Sequence, residues 1–195
     1  MMSMSATDMM FKVCVIGDAA VGKSSTVRRW TQGSFTHEYQ VTIGVQHYSK
    51  SIQLDDSDGR ASVKMIVWDL GGQETFKFIR PMFYRAARGI VIMFDLGNRA
   101  SFDSLAAWIR EADTSIGRRV PIIIAGNKAD LDQYQVDPGE AQKLAEETGA
   151  RFVLTSAKSG CNVGDLFYAL ASLMARDNSS RCEQTRPCVP IQLAH

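Results

Sequence analysis

The stretch GDAAVGKS, Gly17 to Ser24, sets two glycines, a lysine and a hydroxyl directly behind the apolar run FKVCVI. The pattern G-x-x-x-x-G-K-[ST], after a strand and opening a helix, is that of a phosphate-binding loop, the P-loop. Glycines there let backbone N–H groups turn inward around phosphate oxygens, and the helix N-terminus adds partial positive charge. Asp18, Ala19, Ala20, Val21 and Gly22 would line that turn, with Ser25 just inside the helix. Lys23 would reach the terminal phosphates, and the Ser24 hydroxyl is placed to ligate Mg²⁺.

A P-loop says only that the ligand is a nucleoside triphosphate. The base is read elsewhere. The run IIIAGNKAD puts Asn127, Lys128 and Asp130 just past a strand. An aspartate can accept hydrogen bonds from the N1–H and the exocyclic amine of guanine, and adenine has no such donor pair on that edge. Lys128 can lay its aliphatic stem over the ring. After the next strand, TSAK supplies Ser156, Ala157 and Lys158. The Ala157 N–H could meet guanine O6 and Lys158 could stack on the base. Either loop alone would pass for a polar turn. Two of them at successive strand ends, behind a P-loop, point to GTP or GDP, because open α/β sheets bind ligands at the carboxyl ends of their strands.

These loops need a frame. Apolar runs from Phe11, Ser62, Gly89, Val120 and Ala150 read as buried strands, and helical patterns lie between them. Helices are expected from Gly22 to about Gln32, from an N-cap at Ser101, from Asp137 to a stop at Gly149, and over NVGDLFYALASLMAR. Near-continuous Val/Ile strands alternating with helices imply a mostly parallel sheet covered on both faces. GVQHYSKSIQL and ASVKMIVWDL flank DDSDGR, whose Asp58-Gly59 is a turn signal, so this pair should be antiparallel at a sheet edge. The expected fold class is α/β: six strands, one antiparallel edge, helices on both faces. The expected division is a flexible N-terminus over 1–9, one nucleotide-binding domain over 10–176 and a disordered tail over 177–195.

The chain has 195 residues, 45% hydrophobic and 22% charged, with a net charge of +1. That balance supplies a core and gives no basic field for nucleic acid. No apolar run reaches membrane-span length. The N-terminal MMSMSATDMM lacks the charged start and apolar stretch of a signal peptide. Cys14, Cys161, Cys182 and Cys188 have no zinc-site spacing, and the chain is read as cytoplasmic with reduced thiols.

With these motifs in order, the chain resembles the Ras superfamily of small GTPases, most closely its Rab branch. The resemblance covers about Met10 to Arg176 and rests on GDAAVGKS, the threonine of VTIGV, WDLGGQE, NKAD and TSAK. It implies a P-loop NTPase G domain that binds GTP and GDP with Mg²⁺. Phe35 would pack edge-on to the base and Tyr39 would close over the phosphates. Thr42 would complete the Mg²⁺ shell and touch the γ-phosphate, Asp69 would hold Mg²⁺ through a water, and Gly72 would offer its N–H to the γ-phosphate. Gln73 would orient the attacking water. Lys23, Thr42 and Gln73 are the catalytic set. Both switch segments would loosen when the γ-phosphate leaves. No arginine of the chain is assignable as a finger on its own phosphate, so a slow intrinsic rate and an activating partner are expected, beside an exchange factor and effectors. A monomer is expected.

Departures from the pattern matter. Ala19 and Ala20 stand where glycines are common, and Leu70-Gly71 looks like the Arf branch; the extra glycine should loosen the second switch. His47, Trp68 and Phe83 occupy the effector-face aromatic positions. The end, CVPIQLAH, carries no prenylation motif, so membrane association is expected to be peripheral at most and through partners. Two alternatives remain open: a guanine-nucleotide scaffold with little hydrolysis, and an adenine-nucleotide P-loop enzyme, which Asp130 opposes.

Overall fold

The computed structural model describes residues 7–36, 42–56 and 59–184. Six strands form one sheet: β1 (Thr7–Ile16), β2 (Val45–Asp56), β3 (Gly59–Leu70), β4 (Gly89–Asp95), β5 (Ile122–Asn127) and β6 (Arg151–Leu154). Their order is β2-β3-β1-β4-β5-β6. Only β2 with β3 is antiparallel, as the short link between them requires, with Asp56 opposite Gly59. Ser57 and Asp58, half of the turn signal, lie outside the described residues. In the parallel ladder of β1 and β3, Val15 stands opposite Asp69, which brings the end of β3 beside the P-loop.

Strand side chains alternate between two cores. Val13 and Val15 of β1 and Val91 and Met93 of β4 pack under α1 (Lys23–Gln32) and α6 (Val163–Gln184). There Trp30 stacks on Phe167 with ring centroids 4.1 Å apart. Cys14, Ile16, Ile90, Ile92 and Phe94 face the opposite core, with α2 (Arg80–Tyr84), α3 (Arg99–Asp103), α4 (Leu105–Ile116) and α5 (Pro138–Thr148). Both faces being apolar is why these strands read as unbroken Val/Ile runs rather than alternating ones. A 3₁₀ turn, Glu74–Phe76, leads into α2.

Three boundaries differ from the sequence reading. The helix expected from Ser101 starts earlier and breaks in two. Asn98 caps α3, its side chain accepting the Ala100 N–H at 3.1 Å. Ser101 is buried inside α3, where its hydroxyl accepts the Asp95 N–H at 3.0 Å and donates to the Asn98 carbonyl at 2.7 Å. A side chain committed to β4 leaves capping to Asn98. The strand β1 begins at Thr7, ahead of the expected domain start. Finally, α6 runs through Gln184 rather than ending near Arg176. Arg88 holds Asn178 Oδ1 at 2.8 Å. The Ser179 and Ser180 hydroxyls bond carbonyls four residues back at 3.1 and 3.0 Å. Among the described residues, no helix is long and apolar enough to cross a membrane.

Candidate nucleotide site

The carboxyl ends of β1, β3, β5 and β6 converge on one cavity of about 230 Å³. The P-loop forms its floor. Gly22 has φ +98°, and a Cβ there would lie 2.2 Å from Asn127 Nδ2, so no larger residue fits. Ala20 takes φ +64°, a left-handed backbone that an L-residue adopts at some cost. Lys23 is buried and donates to the carbonyls of Gly17 at 2.8 Å and Asp18 at 2.6 Å. Burial pulls its pKa down to about 8, against the opposing charges of Asp69 and Asp18. A cation held among carbonyls at the mouth of a helix suits phosphate.

At the base end the side chains lock one another. Asn127 Nδ2 donates to the Val21 carbonyl at 2.8 Å. Its Oδ1 accepts from the Ala157 N–H at 3.2 Å and the Thr155 hydroxyl at 3.3 Å. The Ala157 N–H assigned from sequence to guanine O6 is therefore bonded to Asn127 here. Lys128, at φ +66°, extends its ammonium to Asp95 Oδ2 at 2.6 Å, which stretches its stem along the cavity wall. Asp130 Oδ1 accepts the Ser156 hydroxyl at 2.6 Å. Burial alone would raise the Asp130 pKa, but that hydrogen bond and nearby Lys158 hold it below the usual value. Ser156 is fully buried, so it positions Asp130 rather than lining the cavity. Arg29 reaches from α1 to the Ala157 carbonyl at 2.9 Å and to the Lys158 carbonyl, with its guanidinium 5.9 Å from the Phe35 ring centre.

At the phosphate end three oxygens converge. Ser24 Oγ lies 2.6 Å from Thr42 Oγ1 and hydrogen-bonds Asp69 Oδ2. Asp69 is fully buried, and its Oδ1 has no hydrogen-bond partner. Burial raises its pKa, opposed by Ser24 and Lys23. Two hydroxyls and a carboxylate with an orphaned oxygen form a hard donor set that fits Mg²⁺ completed by phosphate oxygens and water. Among the described residues no group of three or more His, Cys, Asp or Glu gathers elsewhere for a metal. Gly72 lies against the P-loop: a Cβ would stand 2.4 Å from the Gly17 carbonyl oxygen. Gly71, expected to loosen the switch, is instead buried and donates its N–H to the Gly44 carbonyl at 2.9 Å. Gln73 lines the cavity.

Of the remaining residues read from sequence, Ala19, Ala20, Ser25, Phe35 and Lys158 also line the cavity. Val21 is buried and contributes its carbonyl to Asn127, and the Asp18 carboxylate turns away to Trp108. Tyr39 lies outside the described residues. Sequence reasoning missed Arg28, Thr36 and Leu131 on the cavity wall. Arg28 is detectable in hindsight, because it stands one helical turn after Ser24 on α1. On the outer surface His47, Trp68 and Phe83 form a row, with ring centroids 6.1 and 5.7 Å apart.

A G domain whose loops sit at these strand ends is a P-loop GTPase. Comparison with known proteins narrows the class. The Ras family profile matches residues 12–176. The chain is 35% identical over 192 residues to "Ras-related protein RAB1BV" of Beta vulgaris, covering 96% of this chain and 87% of that protein. It is 37% identical over 171 residues to "GTP-binding protein ypt2" of Schizosaccharomyces pombe, covering 87% and 84%. It is 35% identical over 181 residues to "Ras-related protein Rab-8A" of Bos taurus, covering 92% and 86%. The chain belongs to the Ras family of small GTPases and is Rab-like.

Proposed function

We propose that this chain binds GTP with Mg²⁺ in the cavity described above, hydrolyses it slowly, and works as a two-state switch in vesicle traffic. The observation that carries the reading is the junction of Ser24, Thr42 and Asp69 with its orphaned carboxylate oxygen. Three segments far apart in sequence meet there, and a water coordinated to a bound cation would satisfy that oxygen.

Asp130, held in place by Ser156, accepts from the N1 and exocyclic N–H groups of guanine. Lys128 and Lys158 lay their stems along the base. Lys23 and the P-loop N–H groups neutralise and orient the β- and γ-phosphates. Ser24, Thr42 and, through water, Asp69 would hold Mg²⁺, which would supply charge neutralisation at the phosphates. Thr42 and Gly72 contact the γ-phosphate through backbone N–H groups, and Gln73 orients the attacking water. Loss of the γ-phosphate releases both switch segments. An activating protein, an exchange factor and effectors act on this cycle, and any membrane contact is peripheral.

The test is the nucleotide that copurifies with the protein, followed by single-turnover hydrolysis of loaded GTP. Bound GDP, with slow turnover abolished in Gln73→Leu, is the expected result. Bound GTP retained in both proteins would establish the scaffold reading instead. No guanine nucleotide would overturn the roles of Asn127 and Asp130.

A further inference from the structure

Arg80, at the start of α2, is buried, with 4% of its side chain exposed. A guanidinium so buried is costly unless its donors and charge are matched. Here they are matched in three directions. Nε and Nη2 fork onto Glu111 of α4 at 2.8 and 2.9 Å. Tyr84 donates its hydroxyl to the same carboxylate at 2.7 Å. The guanidinium lies 4.3 Å from the ring centre of Trp108. Glu111 alone neutralises the charge, so the third contact has a different consequence: Nη1 donates to the main-chain carbonyl of Gln73 at 3.2 Å.

Trp108 has a second partner. Its indole N–H donates to Asp18 Oδ1 of the P-loop at 2.7 Å, across 90 positions of sequence. One ring therefore carries the P-loop on its edge and Arg80 on its face, and Arg80 in turn carries Gln73. The Gln73 carbonyl orientation fixes the peptide from which the Gln73 side chain leaves the turn into Glu74–Phe76. The same carbonyl also accepts the Phe76 N–H at 3.1 Å inside the turn, so Arg80 is the side chain that ties that turn to α4 and the P-loop.

We propose that Arg80 is a positioning residue for hydrolysis: clamped between Glu111 and Trp108, it holds Gln73 in register with the P-loop. This rests on the reading of Gln73 as the water-orienting residue. A side chain displaced by about 1 Å can lose on the order of a hundredfold in rate. Nucleotide affinity, which the P-loop and base loops supply, should change little.

Three variants test it. Arg80→Lys keeps the charge and loses the fork. Glu111→Gln keeps the shape and loses the charge pair. Trp108→Phe keeps the ring and loses the N–H donor. Single-turnover GTP hydrolysis, GDP dissociation and thermal melting are measured for each beside Gln73→Leu. Arg80→Lys and Glu111→Gln should hydrolyse at least about tenfold more slowly, with GDP dissociation near wild type and a cooperative melt. Trp108→Phe, which loses the tie to Asp18, should also slow hydrolysis while leaving GDP dissociation near wild type. Equal damage to hydrolysis and GDP retention would mean a structural role and overturn the proposal. If Gln73→Leu abolishes turnover while Arg80→Lys and Glu111→Gln keep it, the proposal falls and the reading of Gln73 stands. If Gln73→Leu itself turns over normally, the underlying reading falls. Should Arg80→Lys fail to fold, the isosteric Glu111→Gln decides alone.

Discussion

The two ends of the nucleotide cavity are built on opposite plans. At the base end the protein satisfies itself: Asn127 is bonded to Val21, Thr155 and Ala157, Asp130 to Ser156, and Lys128 to Asp95. At the phosphate end it does not. Lys23 has only carbonyls, and Asp69 keeps a buried oxygen without a partner. A self-satisfied site is preorganised whether or not it is filled, whereas an unsatisfied one depends on its ligand for structure. On the proposed function, the base end would fix which nucleotide binds, and the phosphate end is where the shape would change with the number of phosphates.

The largest effect expected from breaking this contrast is at Gly72. Gly72→Ala drives a Cβ into the P-loop backbone, 2.4 Å from the Gly17 carbonyl oxygen. Hydrolysis of loaded GTP should fall by roughly a hundredfold or more, as when a backbone donor to a transition state is lost, while preference for guanine in competition assays is unchanged. Asp130→Asn does the reverse. GDP affinity should drop by about tenfold to a hundredfold, the worth of a charged hydrogen bond, and xanthosine diphosphate should compete better than GDP. Chelating Mg²⁺ acts on the phosphate end alone: nucleotide release should accelerate about tenfold or more, with base preference intact.

The smallest effect concerns Glu111, which flanks the phosphate end through Arg80. Burial works to raise its pKa, but the hydrogen bonds from Arg80 and Tyr84 outweigh it and hold the carboxyl below its usual value. A carboxylate favoured in the folded state stabilises it fully above the ordinary value of about 4.3 and loses that contribution as pH falls through the lowered one. The gap in melting temperature between wild type and Glu111→Gln should be constant near neutrality and close below about pH 4.

Most of the positions in the cavity wall were legible because their signals are local. The P-loop, the NKAD loop and the TSAK loop each sit within a few residues of a strand end, and strand register does the rest. What stayed hidden depends on partners far away. Ser101 looks like a cap until β4 claims its hydroxyl. Gly71 looks like a hinge until the Gly44 carbonyl is seen against it. The helix beyond Arg176 has a polar composition that reads as irregular, and only Arg88 and backbone-bonding serines explain it. Arg80 and Trp108 carry no local signal of their link, since neither periodicity nor spacing encodes a contact with Asp18.

Asn127 has a kinetic corollary. One amide joins the P-loop to the loop that carries the base contacts, and Gly22 leaves it no slack. The two halves of the ligand are thereby mechanically linked, so letting go of either disturbs the grip on the other. Departure of GDP should be a single event rather than a peeling from one end, and dissociation traces should follow one exponential without a lag.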